Sequence, residues 1–541
     1  AATVARLCRR LDGIPFAIEL AAARLRSMSV ADIDRHLDKR FRVLTGGSRT
    51  ALPRQQTLQA LIDWSYTLLS PAEQEVLVRL SIFAGGFDMD AAEAVVSGGE
   101  VEDFEVLDII DSLVAKSLVQ ADDSSGTVRY RLLESIDDYG EARLAERGEE
   151  ERTTVARAHR DHFLGLAEEA FPHLRGALQR EWADHLDLEL DNLRVALAEC
   201  LRDPDPDPGL LLGDLLSGFW FLRGYGVEGV EALRAQLARP EAQAPTIRRG
   251  RALAATAYLV QHYLFDHRAV NAMADEALAI ARAEGDAVLE VRVFDVRVLT
   301  LYQQGDYRAC LALADTALAL ARGLGDPYYE ARLLNVRGGA LYGLGEDGRA
   351  SFEEAAALYR RAGDRRGASS ALSNVGLFAL LAGELTEARA LIGEALKVKR
   401  EQGDLQGVAN VCTNAGFAAY LDTDDAGAYA LFEEALRVSR RIGARADLAI
   451  AILGLAAVAA RAGESVRAAT LHGAFDELYF GQLGQPPEAL EAMEAGVRDA
   501  DLARLRTTLG PAPFESAHRD GRDLPLDQAI ALARRCPAGL A

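Results

Sequence analysis

The sequence predicts a mainly α protein: a small helical lid and a winged helix, followed by an α-solenoid superhelix of stacked helix pairs. Three observations predict it. Glycine-centred turns recur every 38 to 40 residues from Gly285 to Gly443. Between them, Ala and Leu return at the three- and four-residue spacing of a helix face. The β-rich sequence is confined to two short runs near residues 117–132. With 541 residues the chain exceeds what one core can hold, so several domains are expected.

Residues 1–50 read as short helices. A Gly13-Ile14-Pro15 turn separates VARLCRRL from FAIELAAARLRSM, with Pro15 in the first turn of the second helix. Ser29, with Asp32 three residues on, is a candidate N-cap for the next. Residues 51–150 read as a winged helix. Ser70-Pro71-Ala72-Glu73 is a capping box with Pro at the first helical position. The loop FAGGFDMD leads into AAEAVV, which is the candidate recognition helix, and a further helix covers about 103–115. Ser117–Ala121 and Thr127–Leu132, joined by a polar loop ending in Gly126, form a hairpin, the wing. A helix over 135–148 closes the domain.

Residues 151–246 read as an irregular helical lead-in, 247–480 as about six helix pairs, and 481–541 as a C-terminal helical cap. The first turn series is Gly285, Gly325, Gly363, Gly403 and Gly443; the second, midway between, is Gly305, Gly345, Gly383, Thr423 and Gly463. Glycine suits the left-handed residue that stops a helix, and the Asp after most first-series glycines caps the next. Gly338, Gly376 and Gly416 recur inside the first helices, where glycine costs about 1 kcal/mol relative to alanine, which points to close helix contact. The unit resembles a tetratricopeptide repeat, longer than the usual length of about 34 residues. Such repeats stack into a continuous core with a concave groove. Asn335, Tyr342, Asn374, Asn414 and Tyr420 are the candidates to line that groove or buttress it, with a protein or peptide as its ligand.

Composition narrows the function classes. No run of about 18 apolar residues occurs, so no membrane span is expected. Five scattered cysteines without a Cys-x-x-Cys pair argue against disulfides or zinc and fit a reducing cytoplasm. The formal net charge is −22, yet residues 1–60 hold 11 Lys/Arg against 5 Asp/Glu. Residues 51–150 hold 7 basic against 21 acidic residues, a poor match for a phosphate backbone, so direct nucleic-acid binding is not expected. The opening at Ala1, inside a helical pattern and without a secretory signal, reads as a chain cut from a longer protein.

Several stretches carry a family resemblance. LDGIPFAIELAAARLRSMS and FRVLTGGSRTALPRQQTLQALIDWSYTLLSPAEQEVLVRLSIFAGGF resemble the C-terminal part of the nucleotide-binding module of bacterial STAND (NB-ARC-like) ATPases, among them transcriptional regulators of the LuxR and antibiotic-regulatory types. WADHLDLELDNLRVAL, from Trp182 to Leu197, is similar to the segment that opens their repeats, and PFESAHRDGRDLPLDQAIALA to their tail. The resemblance implies that Gly13 and Pro15 contact the adenine of ATP or ADP in the full-length protein; the alternative is a plain helix-breaking turn. Many relatives end the winged helix in Met-His-Asp, whose His senses the ADP β-phosphate. Leu132-Leu133-Glu134 stands there instead, and leucine donates no hydrogen bond. No Gly-x-x-x-x-Gly-Lys-Ser/Thr loop occurs in the chain.

No catalytic or metal site is expected. His159 and His162 share a helix face without further ligands nearby, and His262 and His267 read as surface or capping residues. Two function classes remain. One is the regulatory, sensing half of a signal-transduction ATPase, partnered by an upstream ATPase or effector domain. The other is a free-standing repeat scaffold or adaptor without a nucleotide switch.

Overall fold

The computed structural model describes residues 58–116, 118–123, 128–487, 490, 492–537 and 540, preceded by isolated positions 4, 5, 8, 29 and 30. The chain divides into two compact units, residues 1–166 with 187–202, and residues 167–186 with 203–541. Gly13 and Pro15 lie outside the described residues.

In the first unit, α1 (Leu58–Thr67) is followed by α2 (Pro71–Leu80), α3 (Met89–Val96) and α4 (Val106–Ala115). The hairpin of β1 (Val119–Asp122) and β2 (Arg129–Leu132) comes next, then α5 (Glu134–Glu146). The strands pair antiparallel with Val119 opposite Leu132. Phe87 adds an isolated antiparallel bridge to β2 by exchanging backbone hydrogen bonds with Tyr130 at 2.8 and 2.9 Å. The predicted capping box is present: Glu73 N–H donates to Ser70 Oγ, and Ser70 N–H donates to Glu73 Oε2 at 2.8 Å. The other oxygen of Glu73 accepts from Ser112 Oγ at 2.6 Å and from Lys116 Nζ, tying α2 to α4. Burial would raise this carboxyl, but the bonds from Lys116, Ser112 and the Ser70 N–H together outweigh it and draw it down to about 2.

In a winged helix the second helix of the helix-turn-helix precedes the hairpin. That element is α4, so the sequence-based choice of the 88–96 segment as recognition helix is corrected. The segment after Trp182 supplies α8 (Leu190–Cys200), reached from α6 (Glu149–His173) and α7 (Gln179–Leu188). Fully buried Asn192 on α8 accepts from Ala84 N–H and donates to the Gly86 carbonyl, both at 2.8 Å, pinning the loop between α2 and α3. His159, also fully buried, packs on Phe83 and Phe163 and is held neutral by burial, down to about 4. It is a core residue.

The second unit takes the end of α6 and most of α7, and continues with α9 (Asp207–Arg223) and α10 (Gly226–Leu237). Six helix pairs follow: α11 (Ile247–Tyr263) with α12 (His267–Glu284), α13 (Ala287–Gln303) with α14 (Tyr307–Leu324), α15 (Pro327–Gly343) with α16 (Arg349–Arg361), α17 (Arg365–Leu381) with α18 (Leu385–Gln402), α19 (Leu405–Leu421) with α20 (Asp425–Ile442), and α21 (Arg445–Arg461) with α22 (Ser465–Asp476). Helices α23 (Ala492–Leu509), α24 (Pro511–Arg522) and α25 (Leu526–Ala533) cap the stack. Each first-series glycine has φ between 65° and 73°. Asp286, Asp326, Asp364 and Asp404 each accept a backbone N–H two or three residues on. Inside α19, a Cβ on Gly416 would stand 2.6 Å from the Phe432 ring of α20, which is why that helix interior tolerates glycine. Helix α9 also packs against α19, with Gly224 against Ile442 and Leu405, so the stack curls back toward its own beginning.

Thr423 occupies the second turn series with φ 61°, where its neighbours use glycine. The left-handed conformation costs a residue with a Cβ about 1–2 kcal/mol. Thr423→Gly is expected to raise the stability of the stack by about 1 kcal/mol in urea unfolding followed by circular dichroism, and Thr423→Val to lower it. In the first unit, Glu73 lies below its ordinary pKa, so its contribution is full above about 4.5 and fades as pH falls toward 2. Hydrogen exchange across α2 and α4 is expected to quicken over that window in the native chain, and Glu73→Gln to be weaker at neutral pH and less acid-dependent.

Candidate functional site: a chamber inside the repeat stack

The first helix of every pair turns one face inward, and together they enclose a chamber of about 390 Å³. The expected concave groove is present as a curled, partly open chamber. Its wall has a regular address, seven residues beyond each first-series glycine. Arg292, Arg332, Ser370, Asn410 and Ile450 occupy that position on α13, α15, α17, α19 and α21, and each lines this chamber or the recess that opens beside it. The wall therefore grades from cationic through polar to apolar. Leu299, Val336, Leu377 and Phe378 supply apolar surface between these points.

At the cationic end lies a recess of about 60 Å³, which shares Phe221, Asp295, Arg332 and Arg366 with the chamber. Arg175, Arg292, Arg332 and Arg366 all face it, among Tyr258, Tyr328 and Tyr329. Arg332 grips Asp295 with Nε at 2.9 and 3.0 Å and Nη2 at 2.7 Å. Arg292 is paired with Asp214 through both terminal nitrogens. Arg366 Nε donates to Asp404 at 2.9 Å, and Asp404 also accepts from Lys399 Nζ at 2.9 Å. Burial opposes the charge on Asp404, yet Lys399 and Arg366 prevail and hold its carboxyl at about 2. Burial likewise lowers Lys399, whose ammonium donates to Ser370 Oγ at 2.6 Å as well. Arg175 differs. Its guanidinium sits 4.6–5.3 Å from the rings of Tyr328, Tyr329 and Phe171, and among the described residues no carboxylate pairs with it.

Polar atoms of the chamber wall also stand without a protein partner: His262 Nε2, Ser373 Oγ and Gln406 Oε1. Buried polar atoms in that state are costly unless something fills them. His262 packs 4.7 Å from both Phe221 and Tyr258. Burial, reinforced by Arg332 and Arg366, lowers it to about 3, so it is a neutral interior imidazole and not the surface residue that its place near a helix end had implied. On α21, Asp447 accepts from Gln406 Nε2 at 2.7 Å. Burial pushes its carboxyl up to about 6, and Glu494 and Gln485 also line the chamber.

Three of the five sequence candidates line the chamber: Asn335, Tyr342 and Asn374, with Asn374 Nδ2 donating to Asn335 Oδ1 at 3.0 Å. Asn414 is buried in α19 outside the lining, because Asn410, one turn earlier, takes the wall position there. Tyr420 is a buttress: the Arg461 guanidinium covers its ring at 3.4 Å, and Arg461 Nη1 donates to its carbonyl at 2.7 Å. The arginines were missed. Counting seven residues on from each turn glycine would have found Arg292 and Arg332.

The first unit presents a different surface. Helix α4 exposes Leu107, Asp108 and Asp111, and Phe104 just before it is 80% exposed. A base-reading helix needs basic or amide groups, and this one offers carboxylates and apolar side chains.

Comparison with known proteins agrees with this part of the fold. Residues 69–145 match the winged helix-turn-helix domain family. A candidate HTH-type transcriptional regulator of Mycobacterium tuberculosis is 42% identical over 298 residues, 54% of this chain, and its Mycobacterium bovis counterpart matches equally. An uncharacterised M. tuberculosis protein is 44% identical over 166 residues, covering 30% of this chain and 41% of that protein. The chain spans about a third of the length of the regulators it matches. Among solved structures, a signal-transduction ATPase with a tetratricopeptide repeat sensor from Pyrococcus horikoshii aligns over 96% of this chain and 74% of its own, at 13% identity and TM-score 0.42. A Rap protein complexed with competence and sporulation factor aligns over 72% and 94%, at 15% identity and TM-score 0.44. No described helix is long and apolar enough to cross a membrane.

Because Asp447 sits above its ordinary pKa, its ionised form weakens the fold once pH rises past the unfolded carboxylate range and fully so above about 6. Asp447→Asn is expected to raise the thermal midpoint at pH 8 by a few degrees and to leave it nearly unchanged at pH 4. Differential scanning calorimetry at the two pH values checks this.

Proposed function

We propose that this chain is the sensing portion of a transcriptional regulator. Its repeat chamber receives a peptide or other inducer, and its winged helix couples that event to an upstream ATPase or effector domain by protein contact. The observation that carries the reading is the chamber itself, with its graded wall of charged, polar and apolar side chains. The similarity to candidate transcriptional regulators supports the regulatory half of the reading, and the exposed Phe104, Leu107, Asp108 and Asp111 support docking on protein rather than DNA. In a gel shift at about 150 mM salt, residues 51–150 are expected to show no sequence-selective binding at micromolar concentration. Sub-micromolar, sequence-selective retardation overturns that part.

The coupling would run through ATP or ADP held by a phosphate-binding loop upstream, with Gly13 and Pro15 against the adenine. This chain alone is then expected to bind ADP more weakly than about millimolar by calorimetry, under about 4 kcal/mol. The longer protein is expected to regain binding and to lose part of it on Pro15→Ala. Micromolar binding by this chain alone would refute the scheme.

A further inference from the structure

We infer that the occupant of the chamber is a short linear peptide with both ends free, its terminal carboxylate in the arginine recess and its terminal ammonium toward Asp447. The inference rests on the reading of the chamber as a ligand site.

Charge is the first argument. Four arginines face the recess, and three carboxylates answer them: Asp214 for Arg292, Asp295 for Arg332, and Asp404 for Arg366. Asp404 is further shared with Lys399. Arg175 is left over, in a chain whose net charge is −22. Arg175 Nη2 donates to the Tyr329 hydroxyl at 3.4 Å and stacks on Tyr328 and Tyr329, but among the described residues no carboxylate pairs with it, and a buried cation without a counter-charge is expensive. A carboxylate entering the recess would complete the set. Guanidinium forks bind such planar groups in two-point fashion, and a recess of about 60 Å³ suits so compact a group.

Asp447, on α21, supplies the second argument. It receives its hydrogen bonds from the neutral amides of Gln406 and Asn410, and burial pushes its carboxyl upward. An incoming cation would give this carboxylate the counter-charge that neutral amides do not supply. The chamber wall also carries Ser370, Ser373, Asn335, Asn374 and Asn410, interspersed with apolar side chains. Amides and hydroxyls of this kind match the N–H and C=O groups of an extended backbone. A molecule with an anion at one end, amides in the middle and a cation at the other is a peptide with free termini.

The test uses three randomised pentapeptide pools: free at both ends, amidated at the C-terminus, and acetylated at the N-terminus. Each is incubated with the whole chain at pH 7.5, and retained peptides are sequenced by mass spectrometry. The peptide most enriched from the free pool is then titrated in all three end-forms by calorimetry, with wild type, Arg175→Met and Asp447→Asn. Amidation is expected to weaken binding to wild type about 10–100-fold and to matter less than about threefold in Arg175→Met. Acetylation is expected to do the same, with its effect lost in Asp447→Asn. Equal affinity of free and amidated peptide for wild type overturns the placement of the carboxylate, whatever the stability of the variants. Equal affinity of free and acetylated peptide overturns the placement of the ammonium. Retention from the amidated pool alone overturns the recess assignment while leaving the chamber a ligand site. No enrichment from any pool sinks the peptide inference; the broader chamber reading falls only if, in addition, no small carboxylic acid of a metabolite panel shifts the thermal midpoint.

Discussion

The left-handed backbone turn governs the second unit. A helix pair can repeat only if the chain reverses in the same way each time, and an L-residue with a Cβ resists the conformation that does so. Glycine meets that demand at all five first-series turns. The aspartate that follows most of them supplies an oxygen to the next helix start, so one dipeptide both ends and begins a helix. Once those turns fall at a near-constant interval, side chains a fixed count beyond them land on the same face. The chamber wall is a consequence of that counting.

What the wall encloses has an electrostatic price. Arg292, Arg332, Arg366 and Lys399 are held against Asp214, Asp295 and Asp404 in a setting where an unpaired ion costs several kcal/mol. Salt bridges of this kind give little net stability over an apolar core. They hold charged side chains in defined places, which a purely apolar interior would not do, and Tyr258, Tyr328 and Phe221 fix the guanidinium planes further.

The helix pairs, their turn residues, the capping box at Ser70 and Glu73 and the wing could be read from the sequence, because each depends on local chemistry over a few positions. Phe265 shows where that fails. It stands 40 residues before Gly305 and adopts φ 55°, but a phenylalanine gives no sign of a left-handed turn. The site was half legible. Asn335 and Asn374 were expected at the groove because they lie on the first helices of their pairs, which fixes the helix but not the face it turns inward, so the same expectation failed at Asn414. Arg175 reaches the recess, and Asp214 reaches its Arg292, from segments outside the repeat, and no periodicity connects them to it.

The graded wall bears on how such a protein changes over generations. Positions 292, 332, 370, 410 and 450 each sit on a separate helix pair, and pairs in a stacked array interact chiefly with their neighbours. A substitution at one address alters a single step of the gradient and leaves the turn that positions it untouched. Duplicating or deleting a whole unit would lengthen or shorten the chamber by one address. Descendants of one ancestral array could therefore diverge in what they recognise, one tooth of the key at a time, while inheriting the same scaffold.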